Sequence, residues 1–88
     1  MKEIRILGLR VNDRIKEAGR TQTILTSYAE CVNTRMGFHE VSEDVNSRTG
    51  FIILELRGTP DKWDLLEGEL NEVGGLDVKK MSFSLKKN

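Results

Sequence analysis

The 88-residue chain contains one histidine, His39, and one cysteine, Cys31. These two side chains could ligate a soft metal or form a nucleophile–base pair. Their placement favours neither. No CxxC or HxxxH spacing occurs, and a tetrahedral site needs three or four ligands. No metal is expected within one chain; pairing symmetry-related copies of His39 or Cys31 in an oligomer is the route that stays open. Nucleophilic catalysis also needs an orienting group and oxyanion donors, and no motif supplies them. The expectation is a non-enzyme with no catalytic residue and no cofactor.

The carboxylates give little more. Glu40 with Glu43, and Glu67 with Glu69, read as solvated charges. Glu55 differs because it interrupts the longest apolar run, residues 48–58. It is expected to pair with Arg57, with Arg5 or with a group on a second subunit. Arg48-Thr49-Gly50-Phe51 resembles the start of an RNP1 motif, but Ile53 and aliphatic neighbours follow where base-stacking aromatics are needed. No GxxxxGK[ST] or GxGxxG loop is present. A small anion could meet the first helix start near Asn12, Asp13 and Arg14, which is generic to such termini.

Fourteen basic and fourteen acidic residues give a formal net charge of zero. Phosphate neutralisation calls for a basic excess, so no direct nucleic-acid partner is expected. Eighty-eight residues make a single domain, 1–88. Cys31 alone cannot form an internal disulfide. No apolar stretch nears the roughly 20 residues of a membrane helix, and the opening Met1-Lys2-Glu3 leads straight into a strand-like run, unlike a signal peptide. A cytoplasmic location is expected.

The elements follow from apolar spacing. Residues 2–11 alternate, with Ile4 and Ile6 on one face and Leu7, Leu9 and Val11 on the other, and Gly8 leaves a gap. Asn12 or Asp13 can cap a helix whose stripe is Ile15, Ala18, Gln22, Leu25, Ala29 and Val32, widened by Ile24, Tyr28 and Cys31. The spacing predicts a helix to about residue 33, with Gly19 weakening its start so that residue 20 is an alternative beginning. Residues 35–42, with Met36, Phe38 and Val41, form a polar edge strand, and 43–49 a hairpin loop. Phe51, Ile52, Ile53, Leu54 and Leu56 then read as a central strand apolar on both faces. Thr59, Pro60 and Asp61 open a second helix with the stripe Trp63, Leu66, Leu70 and Val73, while Glu67, Glu69 and Glu72 face water. Gly74-Gly75 ends it, and Leu76–Leu85 is the last strand. Its apolar parity changes between Val78 and Met81, which predicts a bulge or a change of partner. Residues 86–88 read as a solvated tail.

The order strand, helix, strand, strand, helix, strand predicts an α+β ferredoxin-like βαββαβ sandwich, with two helices on one face of a four-stranded antiparallel sheet in the order 4-1-3-2. The first and third strands, apolar on both faces, fall in the middle, so pattern and topology agree. The second face is then uncovered. Four large apolar side chains left wet forfeit about 6–12 kcal/mol, comparable with the roughly 4–13 kcal/mol stability of such a domain. A homodimer or homotetramer through the open face or a sheet edge is therefore expected.

Several segments together resemble a known family. They are Val11-Asn12-Asp13-Arg14, Ile24-Leu25 with Tyr28, Thr34-Arg35-Met36-Gly37-Phe38-His39, Gly50-Phe51-Ile52-Ile53 and Gly75-Leu76-Asp77-Val78-Lys79. Across nearly the whole chain the sequence resembles the iron-only hydrogenase system regulators, an ACT-like family similar to the C-terminal sensing domain of nickel-responsive repressors. The resemblance implies an oligomeric ACT-like subunit that senses a small metabolite and regulates a hydrogenase system or transcription. The alternative is a scaffold subunit with no small ligand. The nickel repressors use several histidines and a cysteine, so nickel sensing does not carry over to a chain with one of each. By resemblance to ACT-like domains, a ligand site is placed at Asn12, Asp13 and Arg14, with Arg35 and His39 added.

Overall fold

The computed structural model describes residues 2–39 and 49–85. The elements are β1 (Lys2–Val11), α1 (Arg14–Ser27), a 3-10 turn (Ala29–Cys31), β2 (Val32–His39), β3 (Gly50–Leu56), α2 (Pro60–Asn71) and β4 (Leu76–Leu85). The expected end of β2 at 40–42, the hairpin loop over 43–48 and the 86–88 tail lie outside the described residues. The sheet is antiparallel in the order β2-β3-β1-β4, so the chain has the expected ferredoxin-like topology.

The core sits between one sheet face and both helices. Leu7 and Leu54 are cross-strand partners at the sheet centre, each 0% exposed. Leu9, Val11, Leu56 and Leu76 extend that layer, and Leu25, Trp63, Leu66, Leu70 and Val73 cover it from the helices. The expected α2 stripe is the buried one. Thr59 occupies the N-cap through its backbone, with no side-chain bond to the helix, and Pro60 follows at the first helical position. Gly58 and Gly75 flank this unit at φ 101° and 78°, left-handed conformations that disfavour a side chain.

The first helix departs from its expected stripe. It begins at Arg14, capped by Asp13, whose Oδ1 accepts from the Ile15 and Lys16 amides at 3.1 and 3.3 Å. Gly19 does not delay it to residue 20. Ile15 is 69% exposed and Gln22 and Ala29 are exposed, whereas Glu17, Thr21 and Leu25 are buried. A spacing of four selects this row, and Thr21 is tolerated inside because its hydroxyl donates to the Glu17 carbonyl at 3.0 Å. Helix α1 stops at Ser27 rather than near residue 33. Cys31 and Val32 enter the core layer from a 3-10 turn and a strand, which a helical stripe mimics over so short a span.

Two further expectations change. Strand β4 pairs with β1 without interruption from Leu76↔Val11 to Leu85↔Lys2, so its parity switch is neither a bulge nor a change of partner. Instead, Leu76 and Val78 face the helices, while Met81, Phe83 and Leu85 share the other face with Ile4 and Ile6. The irregularity lies in β2, between Val32 and Thr34. It turns Asn33 and Thr34 to the same carboxylate: both donate to Glu55 Oε1, at 3.0 and 2.9 Å. Glu55 is thus satisfied by neutral edge donors, not by Arg57 or Arg5. Leu66→Ala should cost about 2–5 kcal/mol in urea unfolding, while Ile15→Ala should stay within about 0.5 kcal/mol; comparable losses at both sites would contradict this core.

Candidate functional site

The residues expected at a ligand site gather only in part. Asn12 follows β1 directly; its amide donates to the Gly75 carbonyl at 2.8 Å and its own carbonyl accepts from Thr49 Oγ1 at 3.5 Å. Asp13 caps α1 and Arg14 is the first helical residue. His39 ends β2 opposite Gly50, which stands opposite Val11 on β1. Asn12, Asp13, Arg14 and His39 therefore lie at one end of the sheet. Arg35 is four residues back along β2, exposed and opposite Leu54, about 13 Å away along the strand. The Asp13 carboxylate occupies helix N-terminal amides that an anion would otherwise use.

The most heavily paired charge is one that sequence spacing did not single out as a site. Arg5 extends the buried row of β1 and its side chain is 8% exposed. It donates to Glu3 at 3.0 Å, Asp64 at 2.7 Å and Glu67 at 3.0 Å, and its guanidinium lies 5.2 Å from the Trp63 ring centroid. Ser82 donates to Glu3 at 2.6 Å, and Lys80 lies 3.6 Å from Glu67. Glu67, expected in water, is therefore half-buried in an ion-pair network. Burial opposes the Arg5 charge, but its hydrogen bonds to Asp64 and Glu3 and the nearby Glu67 outweigh that and raise its pKa. The Ser82 and Arg5 hydrogen bonds hold the Glu3 carboxyl below its ordinary value. The cluster joins β1, β4 and α2, and every carboxylate in it is engaged, which suits a structural clamp better than proton transfer.

A second clamp joins the two strand–helix corners. Arg57 donates from its amide to the Cys31 carbonyl at 2.7 Å and from Nε to the Glu30 carbonyl at 3.1 Å. Lys62 reaches Glu30 at 3.0 Å, and Trp63 Nε1 donates to the Arg57 carbonyl at 2.8 Å. Tyr28 donates to the Glu69 carboxylate; this bond raises the tyrosine pKa above its ordinary value. Cys31 is buried, as a core cysteine would be.

The sheet face away from the helices is open. Met36, Met81, Phe83 and Leu85 are 48–57% exposed, with Ile4, Ile6, Phe51 and Ile53 half-buried beside them. One end holds a groove of about 560 Å³ whose lining includes Gly8, Arg10, Phe51, Ile53, Asp77 and Lys79. Arg10 Nε donates to Asp77 at 2.8 Å across the β1–β4 pair. A cleft of about 550 Å³ between the helices is lined mainly by polar residues such as Lys16, Arg20, Glu69 and Glu72. The gap at Gly8 was the sequence signal for the first groove; Lys79 and Asp77 carried none, because only the register sets them beside it. Among the described residues, no group of three His, Cys, Asp or Glu side chains could hold a metal, and no helix is long and apolar enough to cross a membrane.

No protein-family model and no curated protein matches the chain. Solved structures do. An uncharacterized protein from Thermotoga maritima is 26% identical, with a TM-score of 0.79 over 94% of this chain and 100% of its own. A formyltetrahydrofolate deformylase from Pseudomonas putida KT2440 is 18% identical at TM-score 0.55, over 89% of this chain and 28% of that protein. A de novo designed protein is 15% identical at TM-score 0.56, over 97% of this chain and all of its own. The last two establish likeness of fold alone.

The Arg5 network makes a testable contribution to acid stability. The depressed folded pKa of Glu3 means its stabilisation is present above the unfolded carboxyl range and lost as pH falls through the folded value. Urea midpoints measured from pH 6 to pH 2.5 should therefore decline less steeply in Glu3→Gln than in the parent chain. Arg5→Met should cost about 3 kcal/mol at neutral pH, because its carboxylates lose their shared cation.

Proposed function

We propose that this chain is a non-catalytic, ACT-like regulatory module that works as a homo-oligomer and responds to a small metabolite. The open apolar sheet face carries the reading. Four large side chains at about half exposure, with the isoleucines beside them, leave on the order of 500 Å² of apolar surface, at the upper end of what a monomer shows. Each partner in a standard interface contributes roughly 800 Å², about 65% apolar in homodimers, so one copy of this face supplies what a second copy needs. A two-fold dimer uses the same patch twice, which suits a continuous apolar strip. The sheet end bearing Asn12, Asp13, Arg14 and His39, with Arg35 farther along β2, is the part of the reading that assigns ligand contacts. The resemblance to iron-only hydrogenase system regulators supports a regulatory role in a cytoplasmic setting; the match to the uncharacterized Thermotoga protein, over 94% of this chain and 100% of that one, supports the fold.

Sedimentation at micromolar concentration should give a dimer or tetramer of the 10.0 kDa chain. Phe83→Glu, on the open face, should shift the mass to monomer, while Leu65→Glu, 62% exposed on the helix side, should not. A stable monomer for the parent chain would refute self-association. A broad thermal-shift screen of amino acids, nucleotides, organic acids and metals should yield at least one stabilising ligand; none would leave a scaffold role instead.

A further inference from the structure

The open face is not uniform along its strands. From Ile6 toward the end of β4 it is mainly apolar: Ile4 faces Phe83 and Ile6 faces Met81, with Glu55 on the other side of Ile6, held by Asn33 and Thr34. From Gly8 toward Val11 its character changes. Gly8 puts no side chain at the centre of β1; its partners are Ile53 on β3 and Lys79 on β4. One pair further on, Arg10 stands between Phe51 and Asp77. Cross-strand partners share a face with Cβ atoms about 5 Å apart, so all six residues border one hollow.

That hollow is part of a groove of about 560 Å³ whose lining also takes in Leu76, Val78 and Asn71 at the β4 edge, a volume inside the roughly 300–1,000 Å³ range of small-molecule sites. Its floor is not a packing requirement: among the described residues, a Cβ at Gly8 would meet within 4 Å only Ile53 Cδ1, at 3.9 Å, an ordinary contact. The charges are unequal. Arg10 and Asp77 neutralise each other. Lys79, exposed and directly across from Gly8, has no ion pair or hydrogen bond among the described residues. The groove therefore combines an apolar wall of Phe51 and Ile53 with one uncompensated positive charge.

We propose that this groove binds a small organic carboxylate with an aromatic or branched apolar body. The carboxylate lies at Lys79 and the body rests over Gly8 against Phe51 and Ile53. The proposal rests on the reading of the chain as a ligand-responsive module and assigns that module a ligand class. A neutral apolar molecule would forgo the attraction of the Lys79 ammonium, and a simple inorganic anion would leave the apolar wall wet. The hollow adjoins the apolar half of the same face, so a second copy seated on that half brings its margin to the ligand. Binding and association then share one free energy and shift each other by mass action.

The test is an amide-resolved NMR titration of the full chain with phenylacetate, with phenylacetamide and acetate as the neutral and body-less arms. Phenylacetate should give saturable shifts concentrated at residues 8–10, 51–53 and 77–79, and bind about fivefold or more tighter than either control. Lys79→Gln should weaken it about fivefold, and Gly8→Val, which puts a branched side chain on the floor of the hollow, should weaken it at least as much. Equal binding of the amide, shifts elsewhere or none, or indifference to both substitutions would overturn the proposal. Lys79→Gln is an exposed change that keeps the test decisive if Gly8→Val misfolds. A different metabolite that raises Tm without moving these amides would overturn the groove assignment while leaving the module reading intact; silence across the whole thermal-shift screen would overturn both.

Discussion

Two helices can cover only one face of this sheet. Four strands about 4.8 Å apart make a layer roughly as wide as two helices of about 10 Å side by side. Both helices pack on the face that presents Leu7, Leu9, Val11, Leu54 and Leu56, and among the described residues no element covers the other. The rest of the molecule follows from that asymmetry. Leu7 and Leu54 are fully enclosed at the centre, while Phe83 and Met81, on the reverse side, stay about half exposed.

Arg5 shows how the covered layer ends. It stands in the buried row of β1, where Leu7 and Leu9 follow, yet it is an ion. Charge burial is tolerated because α2 brings Asp64, Glu67 and Trp63 to it and β1 itself supplies Glu3. The network fixes the helix against the sheet at the end away from Asn12 and Asp13. Arg57, Glu30 and Lys62 tie the neighbouring corner, where β2 and α2 begin. With that end clamped on the helix side, the groove at the opposite end and the open face carry the surface that a partner or ligand can use.

Much of this architecture was legible in the residues. The two-sided apolar patterns of β1 and β3 place them in the sheet interior, and Thr59-Pro60 with Gly74-Gly75 bracket α2. The errors share a cause. Hydrophobicity alone selects Ile15 for the stripe and passes over Glu17 and Thr21, yet the buried threonine satisfies its hydroxyl within the helix. The end of α1 was overrun because Cys31 and Val32 serve the same core from other backbone geometries. In β4, a parity switch that resembled a bulge proved to be one regular strand serving two faces. Of the expected ligand residues, Asn12, Asp13, Arg14 and His39 share a sheet end, whereas Arg35 does not.

By itself the sequence determined the element order, the central strands and the presence of apolar residues on both sheet faces. These depend on local period and punctuation, which neighbouring residues encode directly. Only the tertiary structure decided which carboxylates surround Arg5, which donors satisfy Glu55, and that Lys79 stands beside the hollow at Gly8. Apart from the local Arg5–Glu3 contact, those pairs join residues 21 to 71 positions apart. Their meeting depends on strand register and helix placement, and a one-residue slip would send each strand side chain to the opposite face.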